Sequence, residues 1–143
     1  MSKALTGGVA PLAATIATKR VFEAFWSDDP RRALMHGPTY MGNALACAAA
    51  NASLDLFETE PRLEQVREIE KGLEAGLASA RDIPGVKDVR VRGAIGVIQV
   101  EEMRALDDLK ARFVEAGVWV RPFRDIIYTT PPYVIGKDDL AAL

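Results

Sequence analysis

Three short stretches of the sequence carry residues that could do chemistry. The first is SKALTGG, in which Lys3 stands close to the glycine pair Gly7 and Gly8. A lysine amine that has lost its proton attacks carbonyl compounds and forms an imine, and glycines let the backbone pass close to a flat ring or a phosphate. Spacing alone favours a simpler interpretation, a solvated lysine near a terminus, because most lysines are exposed.

The second stretch is HGPTYMGN, a loop centred on Gly37, Pro38 and Thr39. Backbone N–H groups and a threonine hydroxyl in such a loop can bind an anion. The same residues also suit an ordinary turn in which Thr39 or Asn43 caps the next helix, and ordinary turns are far commoner. His36 is the only histidine, and no Cys, His or Asp cluster accompanies it in the sequence. We therefore interpret it as a loop histidine rather than a metal ligand.

The third stretch is GVWVRPFRDIIYTTPPY. Arg121 ends an apolar run there and lies among the aromatic residues Trp119, Phe123 and Tyr128. An arginine fixed at such a position suits bidentate binding of a carboxylate. The alternative is a structural arginine that covers the edge of a small domain, and spacing alone favours that alternative.

Hydrophobic periodicity predicts the elements that must position these stretches. Residues 9–18 are small and apolar and predict a short buried strand, followed by a helix that Thr18 can cap. A second helix is expected from near Asn43 to about residue 57. Its alanine and serine residues are small enough to let another element approach closely.

From Thr59 onward the predicted order is α-β-β-α-β-β-α. Thr59 is expected to be the N-cap of an amphipathic helix that ends before Pro84. Two strands joined at Arg92 and Gly93 follow, then a helix that Gly117 ends. Further on, two strands and the first turns of a last helix are expected at VWVRP, IIYTT and KDDLAAL. This order predicts a small α+β domain with helices on one face of a sheet.

The predicted elements divide the chain unequally. Residues 1–45 contain too little structure for a core of their own, and we interpret them as the tail of a larger, incomplete domain. Residues 46–143 predict a small C-terminal α+β domain whose final helix is truncated. The whole chain is therefore expected to be a fragment.

The composition of the chain limits the classes of protein to which it can belong. The chain has 143 residues, a net charge of -2 and 49% hydrophobic residues, which suits a packed globular chain and argues against a nucleic-acid partner. The single cysteine, Cys47, cannot form an internal disulfide, which favours a reducing compartment. No apolar run approaches the roughly 20 residues of a membrane helix. We expect a soluble, cytoplasmic chain without a membrane partner.

Taken together, four stretches resemble, in the same order, the C-terminal part of the class-III, fold-type-I pyridoxal-phosphate aminotransferases. They are SKALTGG, HGPTYMGNALACAAANASL, DVRVRGAIGVIQVE and GVWVRPFRDIIYTTPPY. SKALTGG resembles the class as a whole, whereas HGPT with MGN, and VWVRPF with PPY, resemble its biotin-biosynthesis branch. The resemblance covers nearly the whole chain. It implies an α/β fold, of which this chain holds mostly the small α+β C-terminal domain.

The resemblance implies roles at the cofactor. Lys3 matches the lysine that holds pyridoxal 5'-phosphate as a Schiff base and then moves the proton during the reaction. Pro38 and Thr39 match the pair that binds the cofactor phosphate across the interface of a homodimer, so that each active site is shared between two subunits. The family's other cofactor-binding residues precede its lysine, and we expect this chain to be inactive alone.

The resemblance also implies how substrates are bound. Gly37 matches a substrate contact, Arg121 matches the arginine that pairs with the substrate carboxylate, and Tyr128 lies in the segment that lines the same pocket. The implied reaction moves an amino group from S-adenosylmethionine to 8-amino-7-oxononanoate and gives 7,8-diaminononanoate. Two alternatives stay open: a fragment of another class-III aminotransferase that acts on ω-amino acids, or a non-catalytic α+β interaction module.

Overall fold

The computed structural model describes residues 1–103, 106–120 and 122–143, with the backbone alone for residues 106 and 107. These residues form two compact units, Met1–Glu60 and Pro61–Leu143. The sequence predicts a domain boundary near residue 45 of the chain. The first compact unit extends further because its last helix packs on the N-terminal segment. The assignment of residues 1–45 to a larger domain stays a prediction.

The first unit is built from three short helices and one long one. Its elements are a 3-10 helix at Lys3–Thr6, α1 at Lys19–Glu23, a 3-10 helix at Pro30–Arg32 and α2 at Ala44–Thr59. The prediction of both α-helices is confirmed. At the start of α1, the carbonyl of Thr18 accepts from two N–H groups, but its side chain makes no capping hydrogen bond.

The strand predicted for residues 9–18 is wrong. In the first unit, all of which is described, the only strand-like contact is an isolated bridge between Ser2 and Ala13. A strand needs a neighbour to satisfy its backbone groups, and this unit has no sheet to supply one. Val9 and Ile16 are consequently 82% and 81% exposed rather than buried.

The second unit contains a helix-covered sheet. Its elements are α3 at Arg62–Leu77, a 3-10 helix at Ala78–Asp82, β1 at Val86–Arg92, β2 at Ile95–Val100, α4 at Leu106–Glu115, β3 at Ile126–Thr129 and α5 at Lys137–Ala142. The strands lie in the order β1-β2-β3, and both pairs are antiparallel. The predicted hairpin at Arg92 and Gly93 is confirmed.

Two predicted details of this unit are wrong. Thr59 does not cap α3: it ends α2, where its hydroxyl donates to the Asp55 carbonyl at 2.9 Å, and Pro61 takes the N-cap position of α3. VWVRP forms no strand over its described residues, 118–120 and 122. The Val118 N–H donates to the Phe113 carbonyl at 2.9 Å, so this segment ends α4 instead of pairing with the sheet.

The core of the second unit lies between α3 and the sheet. Ile69 and Leu73 on α3 and Val89 on β1 are each 3% exposed. A Cβ at Gly96 of β2 would lie 2.8 Å from Leu77 Cδ1, so the glycine lets the helix approach the strand closely. Helices therefore pack on a sheet face, as the predicted α+β arrangement requires. Within the described residues, no helix has the length and apolar character needed to cross a bilayer.

Candidate functional site

Lys3 lies at the start of the N-terminal 3-10 helix. Its backbone has φ of 50°, in the left-handed region that side-chain-bearing residues seldom adopt. The side chain is exposed, and its ammonium makes no hydrogen bond or ion pair with any residue that the structure describes. An amine without a competing partner is accessible to a carbonyl compound.

The loop that follows Lys3 is open on its glycine side. Gly7 and Gly8 have φ of 62° and 82°, and the left-handed Gly7 ends the 3-10 helix. A Cβ added at either glycine would meet no atom within 4 Å. The space beside this backbone is therefore free for a flat ligand, although the turn itself already accounts for the glycines.

The lysine segment rests on α2. Thr6, Ala46 and Ala50 are the buried residues of the first unit, and the 3-10 helix Lys3–Thr6 packs on α2. Ala46 and Ala50 are one helical turn apart and share a face. Their small side chains let the 3-10 helix come close, as the composition of this stretch predicts.

Gly37, Pro38 and Thr39 lie in an exposed loop that leads into the same helix. The Pro38 carbonyl accepts from the Met41 N–H at 2.9 Å, which shapes the loop as a turn. Neither the N–H groups of Gly37 and Thr39 nor the Thr39 hydroxyl has a hydrogen-bond partner among the described residues. Unpaired donors of this kind are what an anion-binding loop presents.

α2 links the two candidate stretches of the first unit. Asn43 follows the loop and caps α2, and its Oδ1 accepts from the Ala46 N–H at 3.0 Å. Ala46 is also one of the buried residues on the helix that carries the lysine segment. The loop therefore enters the N-terminus of α2, and the 3-10 helix with Lys3 packs on the same helix.

Of the two predicted substrate residues that follow Pro61 in the sequence, the structure describes Tyr128. Tyr128 is half-buried on β3, opposite Val97 of β2. It lines a cavity of about 510 Å³ together with Trp119, Thr129, Pro131 and other residues. Arg121 lies outside the described residues. Its predicted role therefore stays a prediction.

A tight turn precedes Tyr128 and was not foreseen from the sequence. Phe123 and Ile126 exchange backbone hydrogen bonds of 2.8 and 3.0 Å, and Arg124 within the turn has φ of 54°. The Arg124 guanidinium lies 5.3 Å from the centre of the Phe123 ring. Glycine and asparagine are the usual signals for such a backbone, and neither occurs in the turn, so the pattern gave no signal.

A polar network anchors this turn to the sheet. Gln99 Nε2 donates to Asp125 Oδ2 at 2.6 Å, and Gln99 Oε1 accepts from Arg90 Nη1 at 2.9 Å. Arg90 also donates to Asp88 Oδ2 at 2.8 Å. The Gln99 hydrogen bond lowers the pKa of the Asp125 carboxyl below its ordinary value, and the Arg90 hydrogen bond lowers that of Asp88.

The structure agrees with the interpretation of His36 as a loop residue. His36 is exposed, and its backbone N–H donates to the Leu34 carbonyl at 2.8 Å. Within the described residues, no group of three or more His, Cys, Asp or Glu side chains is arranged to hold a metal ion.

Known proteins resemble this chain over its full length. It is 43% identical to the adenosylmethionine-8-amino-7-oxononanoate aminotransferase of Corynebacterium glutamicum over 143 residues, which are 100% of this chain and 34% of the relative. The chain thus spans about a third of the length of the relatives it matches.

Solved structures share the fold. A crystal structure of adenosylmethionine-8-amino-7-oxononanoate aminotransferase from Methanocaldococcus jannaschii matches with a TM-score of 0.88 and 32% identity, over 98% of this chain and 35% of that one. An amine transaminase from an uncultivated Pseudomonas species, solved in its PLP-bound form, matches with a TM-score of 0.85 and 27% identity, over 99% of this chain and 35% of that one.

The family assignment follows from a match along the entire chain. The model of the family "Aminotransferase class-III" matches residues 1–143. Every stretch discussed above, from the lysine segment to the cavity beside β3, lies inside that match. The chain belongs to the class-III aminotransferase family.

Proposed function

We propose that the whole protein is a pyridoxal-phosphate-dependent aminotransferase that moves an amino group from S-adenosylmethionine to 8-amino-7-oxononanoate, in biotin biosynthesis. The observation that carries this proposal is the 43% identity, over all 143 residues, to a relative with that name. The proposal concerns the whole protein because the chain spans about a third of the relative's length.

The residues of the first unit fit the cofactor. Lys3 offers an exposed amine without a partner among the described residues, and Thr39 offers unpaired donors in an exposed loop. The backbone at Gly7 and Gly8 leaves open space beside the lysine segment. An aldehyde-bearing ring with an anionic phosphate needs a reactive amine, room for a flat ring and donors for the phosphate. In the proposal Lys3 and the glycines meet the first two needs, and Thr39 offers its donors to the cofactor of the opposite subunit.

Each candidate cofactor residue has a defined role in the proposal. When bound, pyridoxal 5'-phosphate supplies an aldehyde that condenses with amines and a ring that accepts electrons. Lys3 holds the cofactor through its ε-amine and, once released, carries the substrate proton as a general base. Pro38 and Thr39 bind the phosphate, with Thr39 donating through its hydroxyl and N–H.

The substrate residues of the proposal lie in both units. Gly37 contacts the substrate beside the phosphate loop, and Arg121 pairs with the substrate carboxylate through its guanidinium. Tyr128 lines the substrate pocket. We also propose that the enzyme is a cytoplasmic homodimer in which Pro38 and Thr39 serve the active site of the opposite subunit. Sedimentation of the whole protein at twice its monomer mass is the expected result for this assembly.

The substrate pair is tested with the whole purified protein and its cofactor. S-adenosylmethionine with 8-amino-7-oxononanoate should give 7,8-diaminononanoate, detected by mass spectrometry. The matched control replaces the donor with an ω-amino acid at the same concentration. Efficient use of the ω-amino acid without turnover of S-adenosylmethionine would favour the second candidate, an amine-transaminase activity like that named for the Pseudomonas neighbour.

A further inference from the structure

Thr6 is an unusual residue to find buried. It is 2% exposed although it is polar and lies on a 3-10 helix of four residues, while the glycines that follow it are exposed. A buried hydroxyl is costly unless it is hydrogen-bonded. We therefore identified the hydrogen-bond partners of the Thr6 hydroxyl.

The Thr6 hydroxyl closes the loop that follows Lys3. Oγ1 lies 2.5 Å from the Ala10 carbonyl oxygen, and it accepts from the Ala10 N–H at 3.4 Å. The Lys3 carbonyl oxygen is further away, at 3.5 Å. A hydroxyl has one hydrogen to donate, so the short contact to Ala10 takes it. Thr6 and Ala10 are thus joined by two hydrogen bonds, one donated and one accepted by the hydroxyl, which close the loop of residues 7–9.

Backbone contacts also hold the chain on the N-terminal side of Lys3. Ser2 and Ala13 form an antiparallel bridge, and the Ala14 N–H donates to the Met1 carbonyl at 2.9 Å. Lys3 is therefore held between this bridge and the Thr6–Ala10 link. Its φ of 50° is a backbone conformation that persists where the surrounding structure holds it in place.

We propose that Thr6 is a positioning residue for Lys3. Its hydroxyl fixes the loop after the lysine, and its burial ties that loop to α2. The backbone from which the Lys3 side chain projects is thereby held in one conformation before the cofactor binds. This inference rests on the proposed role of Lys3, and the experiment separates the two.

The experiment compares threonine variants of the whole protein. Thr6→Val keeps the shape and removes the hydroxyl, whereas Thr6→Ser keeps the hydroxyl. Thr59→Val is the matched control, because Thr59 also donates to a backbone carbonyl but lies at the far end of α2. Pyridoxal phosphate is added to each apoprotein, borohydride fixes it at timed intervals, and peptide mass spectrometry identifies and quantifies the labelled lysine.

If Thr6 positions Lys3, the variants should differ in the rate at which Lys3 is labelled. Thr6→Val should label Lys3 about tenfold more slowly than the unaltered protein, since a small misplacement of a reacting group costs at least that much. Thr6→Ser and Thr59→Val should label at the unaltered rate. Thermal unfolding of each variant is followed in parallel, and labelling is measured well below every midpoint, so that loss of stability alone does not change the rate.

A second variant covers the case in which Thr6→Val does not fold. Thr6→Ala removes the hydroxyl together with the methyl group, so it breaks the link to Ala10 without placing an apolar group in its position. It should slow Lys3 labelling as well. Unchanged labelling of Lys3 in Thr6→Val, or in Thr6→Ala if Thr6→Val is unfolded, overturns the positioning role. Labelling of another lysine in place of Lys3 in the unaltered protein overturns the proposed function, and the inference with it.

Discussion

The side-chain amide of Gln99 on β2 donates a 2.6 Å hydrogen bond to Asp125 Oδ2, in the turn that leads into β3. The carbonyl end of the same amide accepts from Arg90 on β1. Gln99 thus connects the first strand of the sheet to the turn that follows Arg121 and Pro122. A substitution at Gln99 should affect both the titration of Asp125 and the order of this turn.

We predict that Asp125 makes stability depend on pH in the acid range. Its pKa lies below the ordinary value of 3.8 because Gln99 donates to its charged form. A carboxyl whose folded-state pKa is depressed stabilises the fold above the unfolded-state pKa, and that contribution is lost as pH falls through the folded-state value. NMR titration of the Asp125 carboxyl, together with unfolding midpoints measured between pH 7 and pH 3, checks this.

The control for the Asp125 titration is Gln99→Leu. This variant removes the amide donor and should return the Asp125 pKa toward its ordinary value, with a smaller loss of stability on acidification. An Asp125 titration that is the same in Gln99→Leu and in the unaltered chain would show that the hydrogen bond does not operate in solution.

Two glycines of α3 should respond in opposite ways to alanine. A Cβ at Gly76 would meet no atom within 4 Å outside the helix backbone, whereas a Cβ at Gly72 would lie 2.5 Å from Leu140 Cδ2 and 3.3 Å from its Cγ. Gly76→Ala should raise the free energy of unfolding by about 0.5–1 kcal/mol, since alanine favours the helix. Gly72→Ala should lower it by about 1 kcal/mol, because crowding against α5 outweighs that gain.

Urea unfolding of the chain, followed by circular dichroism, measures both changes. The double variant Gly72→Ala with Leu140→Ala removes the crowded side chain and should be less destabilised than the sum of its single variants. Equal effects of alanine at Gly72 and Gly76 would contradict the packing of α5 on α3.

Much of the second unit could be predicted from sequence because its signals are local. The alternating strand pattern of residues 86–100 and the left-handed Gly93 and Gly117 are set within a few residues of the chain. The strand predicted for residues 9–18 failed because pairing depends on a neighbouring strand, which a local pattern cannot supply. The strand predicted at VWVRP failed because the Val118 N–H is used to end α4.

The residues themselves predict little of the candidate site, because their types and spacing favour an exposed lysine and an ordinary turn. The resemblance to the class-III aminotransferases is what marks Lys3 and Thr39, whose roles stay predictions. Both stretches, SKALTGG and HGPTYMGN, adjoin α2 in the structure. The contacts of Thr6 and Gln99 could not be predicted, because a threonine or glutamine in a sequence has no pattern that reveals burial or a cross-strand partner. Those partners, Ala10 and Asp125, become visible only once the chain is folded.

We predict that the 143-residue chain alone does not transaminate. It spans about a third of the relatives that it matches, and a catalytic group without its supporting contacts is poorly positioned. The assay supplies pyridoxal phosphate with S-adenosylmethionine and 8-amino-7-oxononanoate to the purified chain, with the whole protein as the positive control. Turnover by the chain itself would contradict this expectation.

The central claim, that Lys3 holds the cofactor, is tested most directly by borohydride fixation of pyridoxal phosphate on the whole protein. Lys3→Ala should abolish the visible absorption of the bound cofactor. Lys19→Ala, which alters an exposed lysine paired with Glu23 at 3.6 Å, should leave it unchanged. We expect the fixed cofactor on the peptide that contains Lys3. Fixation on a different lysine, or an unchanged spectrum in Lys3→Ala, would contradict it.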